Sequence, residues 1–147
     1  MKHALAKVAT VSAAAVTMAL VPLAGTSYAA GCYGAGCDNR GPVSQGCDGD
    51  AVTQRSVTAD GGLRAELRWS ATCQAGWVRV IDNYGGAWWP KYGSIEKWTG
   101  IGTGFQRSLS VEFPNPGSDW SNMLGGTSNY YRVCIEDAGK VTCSSFW

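Results

Sequence analysis

The chain has 147 residues, with twelve Lys/Arg against eleven Asp/Glu, a formal charge of +1, six cysteines, seven tryptophans and a single histidine. Its basic residues are scattered singly among acids, so it lacks the basic stripe that nucleic acid or a strongly anionic membrane surface calls for. A chain of this length makes one domain, small enough to gain from covalent cross-links.

Residues 1–30 read as a secretory signal: Lys2, His3 and Lys7 open it, an apolar run from Val8 to Ala24 follows, and Thr26-Ser27-Tyr28-Ala29-Ala30 supplies the small-residue exit. Its removal takes Lys2 and Lys7 away, leaving ten Lys/Arg against eleven Asp/Glu and a charge of −1, and it takes the only histidine, His3. No second apolar run approaches the roughly twenty residues needed to span a bilayer. Tyr28-Ala29-Ala30 ahead of Gly31-Cys32 lacks the leucine of a lipoprotein signal. The expected product is a soluble, secreted, extracellular protein.

Residues 31–50 form a lead-in segment rich in Gly and Cys, with no sustained hydrophobic period, ahead of a β domain over residues 51–147. Six cysteines, Cys32, Cys37, Cys47, Cys73, Cys134 and Cys143, in an oxidising compartment read as three disulfides. A zinc site is the competing reading, but no second close cysteine pair and no remaining histidine complete a tetrahedral shell.

From Ala51 the pattern is one of strands. Ala51 to Thr58 is rich in Val and Thr, and Ala59-Asp60-Gly61-Gly62 is a turn signal. Leu63, Ala65, Leu67 and Trp69 then alternate with Arg64, Glu66, Arg68 and Ser70, the mark of a half-buried strand, so the two runs predict a hairpin. Gly76 to Asp82 makes the next strand, with Val78 and Val80 on one face and Trp77, Arg79 and Ile81 on the other. Asn83-Tyr84-Gly85-Gly86 turns the chain into the aromatic stretch Ala87–Thr99, where Pro90 forbids a central ladder position. Leu109, Val111 and Phe113 are in phase before Pro114-Asn115-Pro116-Gly117 ends that strand, and Ser118 to Leu124 reads as one helical turn capped by Ser118 or Asp119.

Tyr130 to Asp137 and Lys140 to Phe146 flank Ala138-Gly139. A two-residue loop sets Cys134 opposite Cys143 on a non-hydrogen-bonded pair, where Cα atoms approach to about 4.5 Å, within disulfide range. A three-residue loop with a bulge at Gly139 would shift that register by one. Six cysteines allow about fifteen pairings. Local geometry favours Cys32–Cys37, leaving Cys47–Cys73 by remainder. The predicted fold class is all-β, a small disulfide-stapled antiparallel β-sandwich or barrel after a cleaved signal peptide.

Without a histidine past residue 30, Ser-His-Asp and Cys-His arrangements are absent, and the cysteines are committed to bridges. The carboxylates Asp48, Asp50, Asp82, Glu96, Glu112, Asp119 and Glu136 show no spacing of a glycosidase pair. Asp48-Gly49-Asp50 falls short of the acids and closing glutamate of a calcium loop. No catalytic residue, metal or cofactor is therefore assigned. The aromatics carry more information. Trp69, Trp77 and Phe113 follow strand alternation and read as core. Trp88 and Trp89 are adjacent and must point to opposite faces of a strand, so one faces outward. Trp88, Trp89, Tyr92 and Trp98, displayed on a loop from Trp88 to Trp98, together with Trp120 are the candidate binding surface, because exposed aromatics anchor both protein interfaces and sugar rings.

Cys32-x4-Cys37-Asp38, Gly46-Cys47-x2-Asp50-Ala51-x-Thr53, Leu67-Arg68-Trp69-Ser70-x2-Cys73-x-Ala75-x-Trp77-Val78-Arg79, Trp120-x2-Met123 and the Cys134/Cys143 hairpin together resemble a family of small secreted proteins of Gram-positive bacteria. It includes the YjfA-like proteins and is classed as a domain of unknown function. The resemblance covers nearly all of the chain after residue 30. Two positions depart from it: Asn39-Arg40-Gly41-Pro42 replaces a Gly-x-Asp-Pro type turn, and Trp69 stands where tyrosine is common. It implies a secreted, disulfide-bonded β domain with no established catalytic residues.

The sequence therefore points to a non-enzymatic secreted binding or adaptor module with an extracellular protein partner, bridging components such as a lectin-like subunit and a toxin or surface protein. Direct binding of a cell-wall or other glycan by the same aromatics is the alternative. A small secreted hydrolase driven by carboxylates, or a protease inhibitor, is a further one.

Overall fold

Leu63, Ala65, Leu67 and Trp69 must share one face of their strand, and burying that face dictates what packs around it. The computed structural model describes residues 29–86 and 89–147; the expected signal, up to residue 28, and Trp88 lie outside them. Among the described residues nine strands run in chain order: β1 Val52–Thr58, β2 Leu63–Ser70, β3 Ala75–Asp82, β4 Tyr92–Gly100, β5 Thr103–Glu112, β6 Gly117–Trp120, β7 Leu124–Gly125, β8 Tyr130–Asp137 and β9 Lys140–Cys143. One sheet has the order β1-β2-β3-β6, with β7 pairing the start of β3; the other has the order β5-β4-β8-β9. All pairings are antiparallel. The two sheets make the sandwich rather than the barrel.

The main core lies between them. Leu63, Ala65, Leu67 and Trp69 from β2 and Val78 and Val80 from β3 meet Ile95 from β4 and Tyr131, Val133 and Ile135 from β8, with Phe113 and Leu124 closing the ends. The alternation of β2 and β3 is therefore as expected, and Trp69 and Phe113 are core. Trp77 is buried too, but on the opposite face of β3, in a second cluster with Cys37, Cys47, Cys73, Ala75 and Met123. The lead-in segment folds back and covers that face. It consists of turns with one short 3-10 turn, Gly34–Cys37, and it docks through Gly34 N–H to Cys73 O at 2.8 Å and Asn39 N–H to Met123 O at 2.9 Å. A Cβ on Gly125 would lie 1.9 Å from Gly34 O, so glycine is what lets β7 approach it.

Three cysteine pairs sit at disulfide distance: Cys32–Cys37, Cys47–Cys73 and Cys134–Cys143. The last joins directly opposed residues of β8 and β9 with Cα atoms 4.0 Å apart, in the register Asp137↔Lys140, Glu136↔Val141, Ile135↔Thr142 that a two-residue loop demands.

Two expectations are corrected. Ser118 to Leu124 is not a helical turn: Gly117–Trp120 is β6, laddered on β3 through Asp82↔Gly117, Ile81↔Ser118, Val80↔Asp119 and Arg79↔Trp120. The free edge of β3 offers backbone partners over four residues, and that ladder outweighs a local cap; the Asp119 carboxylate accepts the Trp120 N–H at 2.8 Å instead. Nor is the aromatic stretch up to Trp98 a loop. From Tyr92 onward it is β4, between β5 and β8, and Pro90 stands just ahead of it.

Two lysines, Lys91 just ahead of β4 and Lys97 within it, turn inward to aspartates of other segments. Lys91 pairs with Asp82 at the end of β3, both side chains buried, and Asp82 also accepts the N–H groups of Tyr84 and Gly85. Lys97 donates to Gly125 O at 2.6 Å and lies 3.5 Å from Asp38 in the lead-in segment. Burial pushes the Asp82 carboxyl up, but the hydrogen bonds from Lys91, Gly85 and Tyr84 outweigh it and hold the group below its ordinary value of 3.8. Asp50 is held low in the same sense: burial raises it, and hydrogen bonds from Ser70 and Thr72 prevail.

Closing a loop with a sequence separation of 26, Cys47–Cys73 contributes about 3.5 kcal/mol by chain entropy, and Cys134–Cys143, separation 9, about 2.5 kcal/mol. Urea unfolding of the Cys47→Ala/Cys73→Ala and Cys134→Ala/Cys143→Ala double variants should rank the losses in that order; a reversed ranking would contradict the role given to the lead-in staple. Because the folded carboxyls of Asp82 and Asp50 are depressed, the stability they supply is complete above about pH 4 and is lost as pH falls through their folded values. Asp82→Asn should cost about 3 kcal/mol at neutral pH, since it strands a buried lysine, and thermal melts should show a shallower acid limb than the wild type.

Candidate binding surfaces

Alternation that fills the core on one side of each sheet sends the next residues outward, and these build two chemically different faces. On the β1-β2-β3-β6 sheet the outward positions carry Arg64, Glu66 and Arg68 from β2 and Arg79 from β3. Glu66 is buried beneath them, receiving Arg64 at 2.9 Å and both nitrogens of an Arg79 fork, with the Thr53 hydroxyl at 3.3 Å. Arg68 donates to Thr53 Oγ1 at 2.9 Å and to Ala51 O at 2.6 Å. Its partners are neutral, and among the described residues no carboxylate lies within salt-bridge distance of it.

Beside these arginines lies a groove of about 280 Å³. It is lined by Trp77, by Trp120 of β6, and by Pro42, Val43 and Asp48 of the lead-in segment. Trp120 is 45% exposed and Trp77 only 4%.

The opposite sheet presents an acidic and aromatic face. Tyr92, Glu96 and Trp98 of β4 point outward with Tyr130, Arg132 and Glu136 of β8 and Glu112 of β5, as their cross-strand pairing requires. Glu96 is the organiser at one end. Its Oε2 accepts the Trp98 indole N–H at 2.9 Å and Arg132 Nε at 2.7 Å. The guanidinium lies 5.2 Å from the Trp98 ring centre and 5.0 Å from that of Phe146, within cation–π range. Phe105 and Phe146 meet Trp98 edge-on at 5.2 and 5.8 Å. Phe105 and Tyr130 are exposed.

The expected surface residues thus do not form one patch. Trp98 and Tyr92 share the outer face of β4 but stand six residues apart, and Trp120 is on the other sheet. Trp89 is exposed near the far end, its indole N–H donating to Asp137 at 2.7 Å. Arg68, Arg79, Arg132, Phe105 and Phe146 were not among the expected site residues. Three more aromatics, Trp69, Tyr131 and Trp147, line a cavity of about 350 Å³ at the sandwich margin. Burial, with the Asp38 charge adding to it, pushes the Tyr131 phenol well above its usual range, so it remains a donor, to Gly126 O at 2.7 Å.

Asp50, half of the acidic pair in the lead-in segment, is engaged by the Ser70 hydroxyl and the Thr72 N–H. Its carboxylate ties that segment to the end of β2.

Residues 35–100 match the family described as "Protein of unknown function (DUF2690)". The matched stretch is similar to a domain of unknown function, and it runs from the lead-in segment through β4, taking in both arginines of the groove and Glu96. No curated protein and no solved structure matches the chain.

Removing the Glu96 carboxylate frees both Trp98 and Arg132. Glu96→Gln should cost about 1 kcal/mol, given that the ion pair is partly exposed, and should raise iodide quenching of tryptophan fluorescence; unchanged quenching would show that Glu96 does not hold the indole.

Proposed function

We propose that the protein is a non-enzymatic extracellular binding module that joins partners on its two outer faces, a secreted relative of the YjfA-like proteins. The observation that carries this reading is the placement of aromatics the core does not use. Trp120 stands on one outer face and Trp98, Phe105 and Tyr130 on the other, so two partners reach the sandwich without competing for one surface. Large aromatics at fixed positions give contact area at low rotamer cost. Opposite charge on the two faces, arginine-rich on one and glutamate-rich on the other, selects different partners by complementarity. Three disulfides suit persistence in an oxidising medium, and among the described residues no helix is long and apolar enough to cross a membrane. A lectin-like subunit and a toxin or surface protein are partners of the kind such a bridge would serve.

Binding of glycan directly is the second reading, favoured by the exposed rings of Trp89 and Trp120, which are able to stack on sugars.

Affinity purification of the tagged chain from culture fluid should recover a stoichiometric protein partner. The double variant Phe105→Ala/Tyr130→Ala should lose it by at least about tenfold while melting like the wild type. Depletion of the protein by insoluble peptidoglycan, chitin or cellulose, with no protein recovered, would overturn the adaptor reading in favour of the glycan one.

A further inference from the structure

We propose that the groove between the lead-in segment and β6 is the docking site for an acidic, apolar peptide segment of a protein partner, a carboxylate seated on Arg68 and a neighbouring apolar side chain against Trp120 and Val43. The inference rests on the protein-partner reading above and assigns chemistry to one of its two faces.

Charge makes the first step. The outer strand positions here hold three guanidiniums, Arg64, Arg68 and Arg79, and one carboxylate, Glu66, which is consumed by Arg64 and Arg79; with Asp48 of the lead-in segment, the other carboxylate at the groove, one positive charge is left over. Arg68 is left with neutral partners, Thr53 Oγ1 and Ala51 O, which fix its side chain without cancelling its charge. A planar fork already held in place and lacking a carboxylate is organised to receive one, with little rotamer entropy left to lose.

The groove wall makes the second. Val43 and Trp120 expose apolar surface beside that charge, while Trp77 and Pro42, also in the lining, are buried, so the complementary ligand carries an acid next to an apolar group. A neutral sugar's hydroxyls can donate to Asp48 and Ser118 and accept from the guanidiniums in the lining, but they leave the charge of Arg68 uncompensated. A peptide that alternates acid and apolar residues matches it better, because alternate side chains of an extended chain face the same way.

The third step concerns construction. One wall is the lead-in segment, held by Cys47–Cys73, and the other is β6, laddered on β3. The groove is therefore largely formed before binding, as peptide-recognition sites in rigid modules tend to be.

The test is calorimetric titration with an acetylated, amidated octapeptide of alternating Glu and Val, the same peptide with Gln for Glu, and hexagalacturonate as an acidic sugar. The Glu/Val peptide should bind below about 1 mM and weaken as salt rises, while the Gln/Val peptide should not bind. Arg68→Gln and Trp120→Ser should each weaken it by about tenfold. Arg107→Gln, which removes a positive charge on β5 away from the groove, should leave it unchanged; circular dichroism melts establish that each variant is folded. Binding of the Gln/Val peptide at equal strength, no binding of the Glu/Val peptide, or no effect of Arg68→Gln would overturn the proposal, and tighter binding of hexagalacturonate would transfer the groove to glycans. Failure here with a protein partner still recovered from culture fluid removes only this groove assignment; absence of any such partner removes the adaptor reading itself.

Discussion

Residues 31–50 lie against the outer face of β3 because the Cys47–Cys73 link and the burial of Trp77 hold them there. That single contact gives β3 two buried faces where an antiparallel sheet would ordinarily leave one to solvent. Val78 and Val80 look into the sandwich, and Ala75 and Trp77 look into the second cluster. The pairing also decides where the surface chemistry lies. With the lead-in segment in place, Arg68 and Arg79 stop being a solvated strand face and become one side of a groove. Asp50, bound to Ser70 and Thr72, and Lys97, reaching Asp38, fasten the same segment from two further directions.

Much of the scaffold was legible in the sequence for physical reasons. Strict alternation from Leu63 to Ser70 admits one strand orientation once a core face is required, and the turn at residues 59–62 fixes its partner. A two-residue loop at Ala138-Gly139 fixes the register of the last hairpin, and with it the Cys134–Cys143 pairing. Over Ser118 to Leu124 the local signals, a small polar residue followed by an acid, are those of a cap, whereas the open edge of β3 that captures the segment lies nearly forty residues upstream.

The candidate surfaces were less legible. Trp98 and Trp120 stand out by type, but their setting depends on residues distant in the chain: Arg132 and Phe146 for the one, Val43 and Arg68 for the other. Alternating arginines on β2 look the same in sequence whether water or a folded-back segment covers them. What distinguishes Arg68 from Arg64 and Arg79 is that the one buried glutamate is already shared by the other two. That allocation is a property of the packed sheet and has no local signature.

The central claim is that one rigid sandwich makes contacts on both outer faces at once. Hydroxyl-radical footprinting of the tagged chain, alone and within the complex recovered from culture fluid, tests it most directly. The account predicts protection of Trp98 and Phe105 on one face and of Trp120 on the other, with Trp77 and Phe113 unreactive in both states. Protection confined to a single face, or unchanged labelling throughout, would contradict it.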